Sequence, residues 1–424
     1  MYSHTGQPSL DPVVFFKLVL VGRLENIASY RRLVEHYSLR LCVLYFLGYE
    51  ADEDLPWHST ISRTRQLYPA TIFEHLFDHV FAQCVAAGLV AGDTQAMDSV
   101  PVKARASLNS LRSKQPPLAP PTHLASQPST PLAPVHHSQT APAHQLHREA
   151  ARQAKRRTEA GSLGAQHAKA KLLSNKTHYS PTDPEARIFV KPGKVRALNL
   201  PLQFGVDTAA GVISHIQADF ADGRDSAHLP ALVQGLRARF TANDLTLREL
   251  VADTGYSTGF NYALLEHCHI KPWIPAFGAY KPEVTGFTYA PAQDTYGCPA
   301  GKLLRFRAYR VTEDGNWSKL YRATYQDCQR CPLRATCVSG AQYKQLIGSA
   351  FDAVYRRAGH WQRARARQRM RRVRQRTVEP VFSHLLHQYG QRRVGTKGQA
   401  AAHKAMLLSA IPYNLRKLLR HQPK

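Results

Sequence analysis

Acidic residues are scarce in this 424-residue chain. Thirty Asp and Glu stand against 56 Lys and Arg, which gives a formal net charge of +26 at neutral pH. An excess of this size indicates a polyanionic partner, and nucleic acid is the first candidate. A ribosomal protein would show the same imbalance, so charge alone does not assign a function.

The chain also lacks a long uninterrupted apolar run near its start. The first residues, MYSHTGQPSLDP, contain no basic region followed by an apolar core, and the run from Val13 to Val21 is broken by Lys17. We therefore expect neither a signal peptide nor a membrane span. Seven cysteines, four of them between Cys298 and Cys337, are typical of an intracellular metal cluster rather than a disulfide framework.

The positive charge is concentrated at the carboxyl end. Residues 351–424 contain eighteen Lys or Arg against only Asp352 and Glu379, and ten arginines lie between Arg356 and Arg376. Like charges at helical spacing repel one another, so this density serves binding better than folding. The DNA backbone is the natural partner, and a merely solvated basic tail is the alternative.

Periodicity divides the chain into six segments and predicts an α/β fold. We expect an N-terminal helical domain (1–90), the first part of a catalytic core (91–107), a disordered linker rich in Pro, Ala, Ser and His with a basic end (108–177), the main core (178–285), a β-rich insertion that holds the cysteine cluster (286–345) and an Arg-rich helical end of the core (346–424).

Three acidic residues are candidates for catalysis. Asp98 lies in AMDSVPVK after an extended run and before a predicted turn, Asp253 ends a strand in LVADTGY, and Glu379 is surrounded by arginines in RTVEPVF. Phosphodiester chemistry uses divalent ions held by such hard carboxylate ligands. As alternatives, the two aspartates could be helix caps or turn residues, Asp93 could replace Asp98, and Glu379 could pair with a neighbouring arginine.

The three segments MDSVPVKARAS, VADTGY and VEPVFSHL resemble, in order and context, the acidic motifs of bacterial insertion-sequence DDE transposases. The resemblance extends to the N-terminal helices and to the strands before Asp253, and it covers nearly everything except the proline-rich linker. It implies a ribonuclease-H-like core in which Asp98, Asp253 and Glu379 bind two Mg²⁺ or Mn²⁺ ions. It also implies cleavage and strand transfer at terminal inverted repeats of double-stranded DNA, a homodimer, and a cytoplasmic, nucleoid-associated location.

The sequence departs from the family pattern after Glu379. Many relatives show a motif similar to EPVFGxxK, whereas Ser383 and Leu386 stand here in place of the glycine and the basic residue. On a continuous helix Arg372 and Arg376 would share the face of Glu379 and could grip phosphate. Pro380 predicts a kink or a new helix start at that point. Further along the chain, Arg392 and Arg393 are also candidates for DNA binding.

The cysteine cluster has the spacing expected of a structural metal site. Cys298, Cys328, Cys331 and Cys337 form C-x29-C-x2-C-x5-C, with CQRCPLRATC as the compact half. Four thiolates brought together by an insertion would suit tetrahedral Zn²⁺, and the resembling transposases have a similar segment. Cysteines without metal, or in disulfides, are the alternative.

Three functions are compatible with these residues. The first is an active DNA transposase, the second is a catalytically inactive DNA-binding relative, and the third is a ribonuclease-H-like nuclease without strand transfer. All three acids are present, which favours an enzyme over the inactive relative.

Overall fold

The computed structural model describes residues 10–114, 174–190, 196–276, 284–311, 317–338, 340–363 and 365–421. Most of the predicted linker lies outside these residues. Its two ends, however, include ordered structure. A short 3-10 turn at Leu108–Ser110 and strand β2 (Arg112–Ser113) precede the gap, and β3 (His178–Tyr179) follows it and pairs with β2.

The N-terminal part is helical, as predicted. Its helices are α1 (Pro12–Leu24), α2 (Tyr30–Tyr37), α3 (Leu41–Leu47), α4 (His58–Leu67) and α5 (Ala70–Ala86). Helix α1 begins with proline at its first position, where no backbone N–H is needed, and the carboxylate of Asp11 accepts a 2.6 Å hydrogen bond from Val13 N.

A six-stranded sheet forms the centre of the molecule. Its strands are β1 (Thr94–Lys103), β4 (Arg187–Phe189), β5 (Ala197–Asp207), β6 (Ile213–Ala218), β7 (Glu249–Val251) and β8 (Lys271–Trp273). Strand β5 pairs antiparallel with β1 along one edge and with both β4 and β6 along the other. On the far side of β1, strands β7 and β8 run parallel to it. The fold is therefore α/β with a mixed sheet.

Helices cover both faces of this sheet. They are α6 (Asp225–Thr241), α7 (Gly259–His267), α10 (Asp352–Arg363), α11 (Ala366–Gln388) and α12 (Gln399–Arg420). Two short helices, α8 (Tyr325–Gln329) and α9 (Arg334–Cys337), lie in the cysteine-containing region instead. One core cluster contains Phe15 and Phe77 of the N-terminal helices together with Val100 of β1 and Met406 of α12. The N-terminal helices thus share a hydrophobic core with the sheet.

Polar contacts fix the end of α11 against α1. The buried guanidinium of Arg23 donates to the carbonyl oxygens of Tyr389 (3.0 Å) and Gly390 (3.3 Å), and Asn26 donates to His387 O at 2.8 Å. Burial lowers the pKa of Arg23. A cation beside the last carbonyls of a helix is favourably placed against the helix dipole, so α1 holds α11 at its carboxyl end.

The predicted β-rich region is a separate five-stranded antiparallel sheet. It contains β9 (Thr288–Ala290), β10 (Thr295–Gly297), β11 (Leu303–Val311), β12 (Trp317–Arg322) and β13 (Gln345–Ser349). Tyr296, Tyr321 and Leu304 form its own small core with Cys328. In the described part of the chain, no helix is both long and apolar enough to cross a membrane.

A close contact joins helix α7 to the segment that leads into α10. A Cβ added at Gly259 would lie 2.4 Å from the Cβ of Phe351, whereas one added at Gly359, inside α10, would meet nothing within 4 Å. We expect Gly259→Ala to lower the free energy of unfolding by about 1–3 kcal/mol through overpacking. The matched change Gly359→Ala should raise it by about 0.5–1 kcal/mol, because alanine favours the helix. Denaturant titration measures both, and equal effects would contradict this packing.

Candidate active site

The pairing of β1 with β7 brings two of the three predicted carboxylates together. Ala96 lies opposite Val251 in a parallel register. Asp98 lies two residues further along β1, and Asp253 lies two residues after the end of β7, as the N-cap of a short 3-10 turn. The structure therefore places both aspartates where β7 ends.

Asp98 does not precede a turn, and that prediction was wrong. It lies in the middle of the ten-residue strand β1, which continues to Lys103. Because β7 pairs with β1 only as far as Ala96, the edge of β1 at Asp98 is not covered by β7. The Asp98 side chain therefore lies at an edge of β1 that β7 does not cover, although β1 itself continues past this point.

Each aspartate is held by defined contacts. Asp253 precedes a short 3-10 turn at Thr254–Tyr256, and its Oδ1 accepts from Gly255 N at 2.8 Å. It thus also has the capping role that the sequence left open as an alternative. Asp98 Oδ1 accepts from Ser99 N at 2.8 Å, and its Oδ2 pairs with the guanidinium of Arg374 on α11 at 2.7 Å.

A further carboxylate, Asp225, lies at this site and was missed by the sequence analysis. It is the first residue of α6, and its Oδ1 accepts a 2.6 Å hydrogen bond from the hydroxyl of Ser99. A Cβ built on Gly255 would lie 2.9 Å from Asp253 Oδ1 and 3.1 Å from Asp225 Oδ2. The two carboxylates therefore flank the same point beside Gly255.

The pKa of the buried Tyr256 phenol is affected by the negative charge of this site. Burial raises its pKa, and the charges of Asp225, Asp98 and Asp253 raise it further. The hydroxyl donates to Gln203 Oε1 at 2.7 Å. Tyr256 thus stays protonated and ties the turn after Asp253 to the central strand β5.

Glu379 lies on α11, on the exposed side of the helix. Helix α11 runs unbroken from Ala366 to Gln388 with Pro380 inside it, so the predicted new helix start is wrong. As expected for a continuous helix, Arg372 and Arg376 lie on the same exposed face as Glu379. Arg374, which faces the sheet, lies five positions before Glu379.

The two aspartates have the donor chemistry of a Mg²⁺ or Mn²⁺ site. They supply hard oxygen ligands from β1 and from the turn after β7, and Gly255 leaves the space between Asp253 and Asp225 free of a side chain. Within the described ranges, no three His, Cys, Asp or Glu side chains are placed to hold a metal ion. In this conformation Glu379 therefore does not complete a group with Asp98 and Asp253.

The four candidate cysteines converge in the β-rich region. Cys298, Cys328, Cys331 and Cys337 all line one small cavity of about 20 Å³. Two of their sulfurs accept backbone hydrogen bonds, Cys298 from Lys302 N at 3.3 Å and Cys328 from Lys344 N at 3.4 Å. The structure thus brings Cys298 to the compact half of the motif, although the sulfurs are not in a ligand arrangement.

The remaining candidates lie at the surface. Arg392 and Arg393 are exposed just after α11, where Arg392 contacts the ring of His387 and Arg393 bridges to Lys103 of β1. Asp93, the competitor of Asp98, is exposed before β1 and pairs with Arg248 at 3.4 Å. It is outside the cluster formed by Asp98 and Asp253.

Comparison with known families gives two matches. A family model described as a transposase DDE domain matches residues 297–419, and one described as a transposase domain matches residues 1–67. The first match includes Glu379 and the four cysteines, whereas Asp98 and Asp253 lie between the two matched segments. No curated protein matches the chain.

The contact between Arg374 and Asp98 predicts a measurable stability effect. Both side chains are largely buried. Removal of the guanidinium would leave the Asp98 carboxylate without its cation, although other carboxylates lie near it. We expect Arg374→Ala to lower the free energy of unfolding by about 1–3 kcal/mol in EDTA, as for other hydrogen bonds to charged groups. The exposed Arg371 on the same helix is the control, and Arg371→Ala should have little effect. Equal losses in the two variants would contradict the assignment.

Proposed function

This chain belongs to the insertion-sequence DDE transposases, and we propose that it cuts DNA at the terminal inverted repeats of its element and joins the ends to target DNA. The observation that carries the proposal is the parallel pairing of β1 with β7, because Asp98 and Asp253 each follow the paired residues Ala96 and Val251 by two positions. That placement is independent of the family matches, neither of which includes the two aspartates.

We further propose a ribonuclease-H-like core. Strand β1 is central in the sheet, with the antiparallel β5 on one side and the parallel β7 and β8 on the other. Helices cover both faces of the sheet. The DDE family implies such a core. The carboxylates then lie where the parallel strand β7 ends, and helix α11 crosses the same region through Arg374.

Asp98 and Asp253 would hold the divalent ions, with Glu379 as the third ligand by its match to the family motif. Bound Mg²⁺ or Mn²⁺ ions activate water or a DNA 3′-hydroxyl and stabilise the departing oxygen. Glu379 would join the aspartates through a rearrangement of α11 or of its own side chain. A rise of 1.5 Å per residue places it about 7.5 Å along the helix from Arg374, and it lies on the exposed side of α11 whereas Arg374 faces the sheet.

Arginines near the site would position the DNA. Arg372 and Arg376 share the exposed face of Glu379, and Arg392 and Arg393 follow at the end of the same helix. Their guanidinium groups can bind phosphate oxygens in bidentate geometry. Contacts of this kind fix the register of the DNA and make affinity depend on salt, whereas they do not read its sequence. We propose a homodimer, as the family resemblance implies.

The direct test is cleavage and strand transfer on a labelled duplex that ends in the element's own terminal repeat, with Mg²⁺ or Mn²⁺. We expect Asp253→Asn to reduce 3′-end release by about a hundredfold or more while DNA binding is retained, because the substitution removes a metal ligand. Asp93→Asn is the matched control and should remain active.

The other outcomes of this assay identify the competing functions. DNA binding without cleavage in either metal would indicate an inactive DNA-binding relative. Cleavage without joining would indicate a nuclease. Equal activity of Asp253→Asn and the wild type would remove Asp253 from the site.

We also propose that the four cysteines hold a structural Zn²⁺ ion that stabilises the β-rich region. Their convergence on one cavity supports this, as do the backbone N–H groups that point at two of the sulfurs, since such hydrogen bonds stabilise thiolate ligands. Tetrahedral ligation would bring each sulfur to about 2.3 Å from the ion.

Metal analysis of the purified chain tests this proposal. We expect about one zinc per chain, and we expect Cys331→Ser to lose the zinc and lower the melting temperature. Cys42→Ser, at an exposed cysteine of α3, should change neither. A zinc-free protein whose melting temperature is unaffected by chelator would contradict the proposal.

A further inference from the structure

Arg374 lies on the side of α11 that faces the core. Met370 and Val378, four residues before and after it, are buried, and so is Val381. With 3.6 residues per turn these positions form one stripe along the helix. A charged side chain in such a stripe is costly to bury unless it is paired, and Arg374 is paired with Asp98. The ion pair therefore makes an arginine compatible with this position of the helix.

The same geometry separates Arg374 from Glu379. Five residues at about 100° each place the two side chains about 140° apart around the helix, and Glu379 is exposed. In this setting α11 presents a guanidinium to Asp98, at 2.7 Å, where the family motif implies a third carboxylate. Among the residues that the structure describes, the side chains thus do not fit a metal site with three carboxylates.

We propose that Arg374 competes with divalent metal for Asp98, and that it leaves Asp98 for a phosphate group of DNA. The competition rests on the proposed function. Arg374 Nη1 contacts Asp98 Oδ2, while Asp98 Oδ1 accepts from Ser99 N. A carboxylate that already balances a guanidinium attracts a second cation less strongly, and the two cations repel each other. The ion pair therefore lowers the affinity of Asp98 for metal.

The position of Arg374 suits an exchange of partners. Its side chain is 20% exposed, so the guanidinium lies at the rim of the buried contact. Arg372 and Arg376 are exposed on the same helix, and in the proposed function they bring phosphate to it. Guanidinium binds phosphate in the same bidentate geometry as carboxylate. DNA on α11 thus offers Arg374 a second anion, and by linkage its binding favours metal at Asp98.

The first test is Mn²⁺ binding to the full chain without DNA, with free Mn²⁺ measured by electron paramagnetic resonance. We expect Arg374→Met to bind Mn²⁺ about tenfold more tightly than the wild type, because the competing cation is removed. Methionine keeps the apolar stripe filled. Arg374→Lys retains a cation and should bind like the wild type. Arg371→Met, which removes an exposed charge from the same helix, is the matched control and should also bind like the wild type.

The second test is binding of a labelled DNA duplex in EDTA, followed by fluorescence anisotropy. Asp98→Asn frees Arg374 and should raise DNA affinity about fivefold or more. This gain should vanish in the Arg374→Met background, because it belongs to the guanidinium. Asp253→Asn removes the same charge at a residue that accepts from Gly255 N. Its gain should be smaller and the same in both backgrounds.

The results distinguish the competition from the proposed function. If Arg374→Met binds Mn²⁺ no more tightly than the wild type, while Asp98→Asn and Asp253→Asn lose Mn²⁺, the competition is wrong and the proposed site stands. If Asp98→Asn and Asp253→Asn also bind Mn²⁺ like the wild type, the proposed site is wrong, and the competition with it.

The DNA measurements decide the exchange with phosphate. Equal gains in Asp98→Asn and Asp253→Asn, or an Asp98→Asn gain that persists in the Arg374→Met background, would show a general charge effect and overturn it. Circular dichroism verifies that each variant is folded. If Arg374→Met does not fold, the comparison of Asp98→Asn with Asp253→Asn still decides, since neither substitution removes the arginine.

Discussion

The active site depends on the parallel pairing of β1 with β7, in which Ala96 lies opposite Val251. This pairing brings together residues that are 155 positions apart in sequence, and Asp98 and Asp253 each follow one of them by two positions. A shift of one residue in the register would move one aspartate to the opposite face. Burial of Leu250 and Val251 in two different core clusters fixes the register, so hydrophobic packing sets the geometry of the polar site.

The site concentrates negative charge in a basic protein. Asp98, Asp253 and Asp225 all raise the pKa of one buried tyrosine, and Arg374 is the cation that contacts Asp98. Arg374 balances the charge of Asp98 alone among the three. The arginines on the exposed face of α11 are instead directed outward, where DNA phosphate can reach them. One helix thus presents a cation to the carboxylates and, in the proposed function, further cations to DNA.

Much of this arrangement could be predicted from sequence, and the failures have physical causes. The patterns of LQFGVDT and ELVADTGY predicted β5 and β7, and the acids at 98 and 253 were chosen for their strand context. Asp225 was missed because the apolar pattern of α6 becomes clear only at ALVQGLRARF, six residues after the helix begins. The prediction of a new helix start at Pro380 was wrong because the packing of Val378 and Val381 in the core outweighs the local cost of proline in a helix. Contacts such as Arg374 with Asp98 depend on tertiary geometry, which periodicity does not contain.

The central claim is that Asp98 and Asp253 form one metal-binding site. Anomalous diffraction from crystals soaked in Mn²⁺ tests it most directly, because the position of the ion is observed rather than inferred from activity. We expect a manganese peak about 2.0–2.3 Å from a carboxylate oxygen of each aspartate, with Arg374 displaced from Asp98. A peak bound elsewhere, or an Asp98 that stays paired with Arg374 at saturating Mn²⁺, would contradict the account.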